Sequence, residues 1–402
     1  MSDVWLENAR KNALETYARL GLPTTRDEAW RYTSLAPLAK RLSETRSSPG
    51  EVDASFGDIP GNRLVFVDGR FVPARSRLDS GHGLTLSSLA ERLEHDPQAL
   101  EIHLAGLADS LDNGLHALNA ALFTDGALIR IPRKTQLAEP IQLIFASSPG
   151  STSHIRNRIV VDADASVDLL EVHIGAEGSV SESITDVVLG PGASLRYTRV
   201  QDQGAAHLGR VEVRHHENSK LAATQIILGG DVQRVEVAVH LADHAEARLS
   251  GLSLVSGERT ADHFTLVRHG SNRGTSEQLY KAIVADQGTS TFYGKVKVEK
   301  DTASNDARQS SKNLLLSPRA TANTRPELEI DSQDVKCSHG ATVGRLDESH
   351  VFYLRSRGIG ESEARALLTA AFAEEILERI GSDAVRTALA PRLRAAIGGL
   401  IR

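Results

Sequence analysis

Hydrophobic periodicity divides the chain into a helical beginning, a long β-rich middle and a helical end. Apolar residues recur at helical spacing from Trp5 to Leu20, and Gly21 follows as a stop signal. Two β-type runs flank Asp68-Gly69, a pair that favours a tight type I′ turn, so a hairpin is predicted there. Helical spacing returns from Leu84 to Leu122. We therefore expect residues 1–122 to form a mixed, mainly helical N-terminal domain.

Residues 123–346 are predicted to form a second, β-rich domain. Short β-type runs follow one another there, and similar turn phrases precede several of them: Asp164-Ala165-Ser166-Val167, Gly192-Ala193-Ser194-Leu195, His244-Ala245-Glu246-Ala247 and, more loosely, Gly288-Thr289-Ser290. A small residue, a polar residue and then a strand fit the rungs of a β-solenoid. A β-sandwich is the competing interpretation, although the run of strands is long for a single sandwich.

Residues 347–402 are predicted to form a helical C-terminal domain. Asp347 is placed to cap its first helix and Gly358 to end it. The next helix carries an apolar stripe at helical spacing that comprises Ala364, Leu367, Leu368, Ala371, Phe372, Ile376 and Ile380. Such a stripe is typical of a domain core, and a partner-docking surface is the alternative.

Composition and charge narrow the class of protein. Of the 402 residues, 40% are hydrophobic but only 4% are aromatic, so small aliphatic side chains must fill the core. The formal net charge of -6 argues against a nucleic-acid-binding protein, which would carry a basic excess. No apolar run approaches the roughly 18 residues of a membrane-spanning helix, and the acidic N-terminus does not resemble a secretory signal. We expect a cytoplasmic protein that binds neither nucleic acid nor membranes.

The single cysteine, Cys337, lies two residues before His339. One thiol excludes an intramolecular disulfide framework and a self-contained four-cysteine metal site. If the segment is a strand, both side chains project from one face about 7 Å apart. Thiolate and imidazole suit iron–sulfur or zinc centres, and Gly340 leaves room beside them. A buried, structural cysteine and histidine are the ordinary alternative.

Enzyme signatures are missing from the sequence. It contains no Gly-Lys-Ser/Thr phosphate loop, no Gly-x-Ser-x-Gly elbow and no His-Glu-x-x-His helix. Two histidine pairs, His215 with His216 and His240 with His244, are interpreted as surface polar residues. Three isolated acids, Asp186, Glu212 and Asp262, would have to form a paired carboxylate site in a solenoid groove if the chain were a stand-alone β-helix enzyme acting on glycans. That is the alternative to a non-enzymatic protein.

An ordered set of motifs resembles a known family. It comprises residues 28–33 (Glu-Ala-Trp-Arg-Tyr-Thr), 309–317 (Gln-Ser-Ser-Lys-Asn-Leu-Leu-Leu-Ser), 326–330 (Pro-Glu-Leu-Glu-Ile), 334–344 (Asp-Val-Lys-Cys-Ser-His-Gly-Ala-Thr-Val-Gly), Leu346-Asp347 and 352–359 (Phe-Tyr-Leu-Arg-Ser-Arg-Gly-Ile). These segments resemble the SufB/SufD family of the SUF iron–sulfur cluster assembly system. The resemblance covers nearly the whole chain, and the lone cysteine fits the SufD branch.

The resemblance implies a fold and a set of partners. The fold is mainly β, a right-handed parallel β-helix core flanked by α-helical N- and C-terminal domains. The chain would be a non-catalytic scaffold subunit that pairs with SufB, and a homodimer is expected of the chain alone. A SufC ATPase, the subunit that binds ATP, would dock on the C-terminal helices, around Ala364, Leu367, Leu368, Ala371 and Phe372.

The resemblance also implies a role for the Cys-Ser-His segment. A transient iron–sulfur cluster would form at the interface with SufB from sulfur that a cysteine desulfurase system delivers. His339 would be a cluster ligand or assembly residue, and Cys337 its neighbour in the same motif. A reduced flavin is expected in the family's complex, but the resemblance assigns its site to no residue of this chain.

Overall fold

The computed structural model describes residues 4–46, 52–79, 81–96, 98, 104, 113–204 and 206–401. Its helices are α1 (Val4–Leu20), α2 (Ala39–Leu42), α3 (Leu89–His95), α4 (Gly114–Leu122), α5 (Glu348–Ser356), α6 (Glu361–Leu377) and α7 (Asp383–Leu400). Its first strands are β1 (Arg63–Val67), β2 (Arg70–Phe71), β3 (Thr85–Ser88), β4 (Ala127–Ile131), β5 (Ile141–Ser147), β6 (Thr152–Val161), β7 (Ser166–Gly175), β8 (Val180–Leu189), β9 (Ser194–Gln203) and β10 (Ala206–His215). The remaining strands are β11 (Lys220–Gly229), β12 (Val232–Leu241), β13 (Glu246–Val255), β14 (Thr260–His269), β15 (Thr275–Val284), β16 (Thr289–Val298), β17 (Ala303–Leu315), β18 (Thr321–Ile330) and β19 (Asp334–Gly344).

The strands from β4 onward wind into a parallel β-solenoid. Successive strands alternate between two sheets, so that odd-numbered strands stack on odd-numbered ones and even-numbered on even-numbered ones. Strand β10, for example, pairs in parallel with both β8 and β12. A sandwich built from hairpins would have antiparallel neighbours instead. The prediction of a solenoid is therefore confirmed, and the sandwich interpretation is wrong.

Whereas Gly288-Thr289-Ser290 leads into β16 of the even-numbered sheet, the other three recurring turn phrases lead into odd-numbered strands at one edge of the solenoid. Asp164, Gly192 and His244 all adopt positive φ angles there, of 59°, 66° and 57°. Each main-chain N–H donates to a carbonyl in the following turn, as from Asp164 to Pro191 at 2.9 Å and from His244 to Asn272 at 3.0 Å. The alanine after each is fully buried, so the phrase encodes a turn that enters the core.

Aliphatic ladders fill the space between the two sheets. From β8 to β16, one registered row consists of valine, namely Val187, Val213, Val239, Val267 and Val296. Each is at most 1% exposed, and full burial of such a side chain contributes about 1.5–3 kcal/mol. Stacked β-branched side chains explain why the core needs few aromatic residues.

The N-terminal segment covers the outer face of the even-numbered sheet. Helix α1 and the hairpin β1–β2 form as predicted, and Asp68 and Gly69 have φ angles of 49° and 73°, as a type I′ turn requires. Trp30 packs with Leu118 of α4 and with Leu208 on the solenoid. The stretch from Leu84 to Leu122 is helical only in part: strand β3 lies at its start, where the prediction of helix is wrong, and α3 and α4 follow. Most of residues 97–112 lie outside the described part.

The C-terminal helices cover the outer face of the odd-numbered sheet. Asp347 caps α5 by accepting from the Ser349 N–H at 2.8 Å, and Gly358 ends it with a φ angle of 88°. Ile376 of α6 and Leu389 of α7 are fully buried against solenoid residues such as Leu252. Both faces of the rod are thus covered, and β18 and β19 are the last strands at its C-terminal end.

Candidate functional site

Strand β19 is the last strand of the odd-numbered sheet, and it carries Cys337 and His339. Among the described residues, β19 pairs only with β17, and β18, the last strand of the other sheet, pairs only with β16. Both strands therefore present an unpaired edge of main-chain donors and acceptors, the feature by which one sheet extends into another. The predicted site residues lie at the open end of the solenoid.

The side chains of Cys337 and His339 belong to rows that line the solenoid interior. The register pairs Cys337 with the fully buried Ala307 and His339 with the buried Gln309. Cys337 is half-buried and packs on the solenoid core. His339, two residues further along β19, is exposed. The structure thus places both side chains on one face of the strand, with the thiol partly inside the rod and the imidazole in solvent.

The surroundings of Cys337 favour the protonated thiol. Partial burial raises the pKa of Cys337, and the nearby carboxylate of Asp306 raises it further. A bound metal ion would have to displace this proton, since thiolate is the ligating form. Within the described part of the chain, no cluster of three or more His, Cys, Asp or Glu side chains is arranged to hold a metal ion. To hold a metal ion, Cys337 and His339 would need further ligands from elsewhere.

The edge beside this pair has room for another chain. A Cβ atom built on Gly340 or on Gly344 would have no heavy atom within 4 Å, so the space next to both glycines is open. Two large apolar side chains at the same end, Ile330 and Val343, are 39% and 49% exposed. Open main-chain edges together with exposed apolar side chains are typical of a surface that another protein covers.

The three isolated acids do not form an open carboxylate site. Each is at most 7% exposed beneath the N-terminal segment, and each pairs with an arginine on the outer face of the even-numbered sheet: Asp186 with Arg156, Glu212 with Arg210, and Asp262 with Arg234. Burial alone would raise the pKa of Glu212, but its contacts with His240 and Arg210 outweigh burial and lower that pKa. These three acids are therefore buried in structural ion pairs and do not line an open groove of the solenoid.

The histidine pairs are only partly the surface residues that the sequence suggested. His216 and His244 are exposed, and His240 is half-buried beside Glu212 at 3.3 Å. His215 is 7% exposed and contacts the Ser219 hydroxyl at 2.8 Å, so the surface interpretation is wrong for that residue. The position is inward-facing because alternation along β10 sends every second side chain into the solenoid.

A charged cluster inside the solenoid is a feature that the sequence did not reveal. Glu171 and Arg199 are fully buried register partners, 3.4 Å apart, and Tyr197 donates to Glu171 at 2.5 Å. Arg199 also reaches the ring of His207 at 2.6 Å. Burial would raise the pKa of Glu171, but Arg199 and a hydrogen bond with His173 lower it to about 2. The cluster is paired within itself and lies several turns from His339, so we interpret it as structural.

The apolar stripe of the C-terminal domain divides between packing and exposure. Ala364 is fully buried, and Leu368 and Phe372 are half-buried, whereas Leu367 and Ala371 are exposed. Phe372 faces the solenoid, because the Lys281 ammonium lies 4.6 Å from the centre of its ring. Phe352 and Tyr353 of α5, which the sequence did not single out for a contact, are 72% and 56% exposed. The outward surface of α5 and α6 therefore differs from the predicted stripe.

Comparisons with known proteins agree with this architecture. Residues 144–372 match the family model of the SufBD core domain of the SUF iron–sulfur cluster assembly system, and residues 1–143 match the SufBD N-terminal region. The chain belongs to the SufBD family. It is 31% identical to the iron–sulfur cluster assembly protein SufD of Escherichia coli, over 96% of this chain and 92% of that protein.

Other SufBD relatives align over similar lengths. A SufBD family protein of Synechocystis is 31% identical over 94% of this chain and 88% of its own. SufD of Bacillus subtilis is 26% identical over 96% of this chain and 92% of its own. None of the helices in the described residues is long and apolar enough to cross a membrane. The family places the chain in SUF iron–sulfur cluster assembly, and the open end of the solenoid is its candidate site.

Proposed function

We propose that the chain is a non-catalytic scaffold subunit that joins SufB through the open end of its solenoid. The observation that carries this proposal is the position of His339, exposed on an unpaired edge strand beside a half-buried thiol. Two ligands at an edge, with too few neighbours among the described residues to hold a metal ion alone, suit a site that a second subunit completes. The nascent iron–sulfur cluster is the cargo of this interface.

We assign a separate role to each subunit of the complex. His339 would bind iron through a ring nitrogen, and Cys337 would add a thiolate once its proton leaves. Sulfur would come from a cysteine desulfurase system, and ATP would be bound by SufC. SufC would dock on the exposed side of the C-terminal helices, where Leu367 and Ala371 are accessible and Ala364 is not. A reduced flavin in the assembled complex is assigned to no residue of this chain.

The decisive experiment compares two histidine variants of the full chain in complex with SufB and SufC. His339→Ala should leave folding and co-purification intact but abolish the build-up of the iron–sulfur chromophore. His216→Ala removes an equally exposed histidine elsewhere and should retain the chromophore. Normal cluster yield from His339→Ala would refute the proposed role, and a chain that ignores both partners would refute the scaffold assignment.

A further inference from the structure

A row of buried amides leads through the solenoid interior to His339. The register of β17 and β19 pairs Gln309 with His339, and that of β15 and β17 pairs Gln278 with Gln309. Neighbouring strands of a sheet lie about 4.8 Å apart, so the three side chains form one row along the rod axis. The imidazole is the outermost member of this row.

The amides of this row lack partners in the folded chain. Gln309 is 4% exposed and Gln278 is 1% exposed. Within the part of the chain that the structure describes, both polar atoms of the Gln309 amide and the nitrogen of the Gln278 amide have no hydrogen-bond partner. Buried polar groups are nearly always paired, since an unpaired one destabilises the fold. For each amide, the next polar side chain of the row lies on the neighbouring strand: Gln309 is next to Gln278, and His339 is next to Gln309.

The inner end of the row fixes the direction of hydrogen bonding. The Thr265 hydroxyl donates to the carbonyl oxygen of Gln278 at 2.7 Å. That oxygen has a second lone pair, which suits an N–H donor from Gln309 on the neighbouring strand. A Gln309 side chain that turned its nitrogen inward to donate to this oxygen would direct its own carbonyl oxygen toward His339, its register partner. An imidazole N–H that donates to this oxygen leaves the other ring nitrogen with a free lone pair.

We propose that Gln309, backed by Gln278, is a positioning residue that selects the tautomer of His339 needed to bind iron. Metal-ligating histidines characteristically donate their second ring N–H to a carbonyl or carboxylate oxygen, which fixes the ring orientation. The inference rests on the proposed role of His339 as a ligand and adds the group that orients it. Gln309 itself does not touch the cluster.

The first test measures the tautomer of His339 in the full chain by nitrogen-15 NMR of the histidine rings, with His339→Ala to assign the signal. The wild type should populate one neutral tautomer in excess. Gln309→Leu removes the acceptor and should give a mixture, whereas Gln309→Glu retains an acceptor and should restore the single tautomer. Gln225→Leu is the matched control, because Gln225 is fully buried, its amide is unpaired among the described residues, and it lies on β11.

The second test measures cluster build-up on the complex with SufB and SufC. Gln309→Leu should slow it by about tenfold, the lower end of the loss that follows removal of a group behind a metal ligand, and Gln225→Leu should not. An unchanged tautomer in Gln309→Leu, or a changed tautomer with normal cluster build-up, would overturn the inference. Loss of clusters in His339→Ala alone would leave the proposed function standing. Normal clusters in His339→Ala would overturn both.

Discussion

Cys337 and Ala307 are register partners on the last two strands of one sheet, and this pairing leaves the thiol half-buried in the solenoid interior. One side of Cys337 packs on the solenoid core, and the other faces the end of the stack, where the described part of the chain adds no further strand. The thiol is therefore shielded from solvent without being sealed. A partner at this end would complete its burial.

The reactivity of Cys337 should reveal this shielding. Because partial burial and the Asp306 carboxylate raise its pKa, thiolate should form only at a pH above the ordinary value for a thiol. Alkylation by iodoacetamide should therefore be slower in the folded chain than in the unfolded chain at pH 8, and should accelerate as the pH rises. The chain has a single cysteine, so mass spectrometry reports this site alone.

The Asp306→Asn variant tests whether the Asp306 carboxylate contributes to the raised pKa of Cys337. Removing the negative charge should shift the alkylation profile toward lower pH, while burial keeps the folded chain slower than the unfolded one. An alkylation midpoint at or below that of the unfolded chain would contradict the environment described for Cys337.

Exposed apolar residues at the open end give a test of pairing with SufB. Replacing Ile330 and Val343 by lysine should leave the unfolding free energy within about 0.5 kcal/mol, since both side chains are already accessible. A charge placed in a partner-covered apolar surface should weaken SufB binding by about 2 kcal/mol, or roughly 30-fold in Kd. Calorimetry of the purified subunits measures this.

Leu78→Lys is the control for that experiment. Leu78 is 44% exposed, similar to the two edge residues, but follows the hairpin at the other end of the chain. Equal binding by all three variants would argue against the open end as the SufB contact.

The turn phrases show how far the sequence predicts this fold. Asp164, Gly192 and His244 were recognisable because each precedes an alanine that enters the core. Asn218 and Arg273 adopt the same positive φ at the same edge, with angles of 59° and 57°, yet their following residues differ. Main-chain geometry, and not side-chain identity, makes the rung, so the repeat is more regular in space than in sequence.

The interior and the C-terminal helices were less predictable for another reason. Alternation tells which residues share a face of a strand, but a closed solenoid can hold a paired charge such as Glu171 with Arg199 inside. The stripe on α6 is only partly core: Ala364 and Ile376 are fully buried, but the hydrophobic Leu367 is 48% exposed, and the polar Thr369 outside the stripe is fully buried. Which sector of a helix packs depends on the sheet beneath it, which the sequence of the helix does not contain.

Helix α6 is held on the solenoid by Glu375, which pairs with Lys281 and, at 3.1 Å, with Lys312. Lys281 is 5% exposed, so it depends on that carboxylate, although Glu375 itself is partly exposed. Glu375→Gln should therefore destabilise the docked helix by about 1 kcal/mol and increase hydrogen exchange in α6. Glu374→Gln, at the exposed neighbouring position, should change neither quantity. Equal exchange in the two variants would contradict this anchoring role.

Gly209 makes room for the buried guanidinium of Arg199. A Cβ atom at residue 209 would lie 2.2 Å from Nη2 of Arg199 and 2.6 Å from its Cζ, far inside van der Waals contact. Arg199 cannot move aside freely, because Glu171, Ser183 and His207 hold it in a fully buried site.

Gly209→Ala should consequently lower the free energy of unfolding by about 1–3 kcal/mol, as other overpacked cores do, with a matching fall in the urea midpoint. Gly270→Ala is the control, since a Cβ atom there would meet nothing within 4 Å. If the two variants unfold at the same urea concentration, Arg199 can move aside for the added Cβ atom, which would contradict the tight packing described here. If only Gly209→Ala is destabilised, the buried charge cluster is a rigid part of the rod that carries His339.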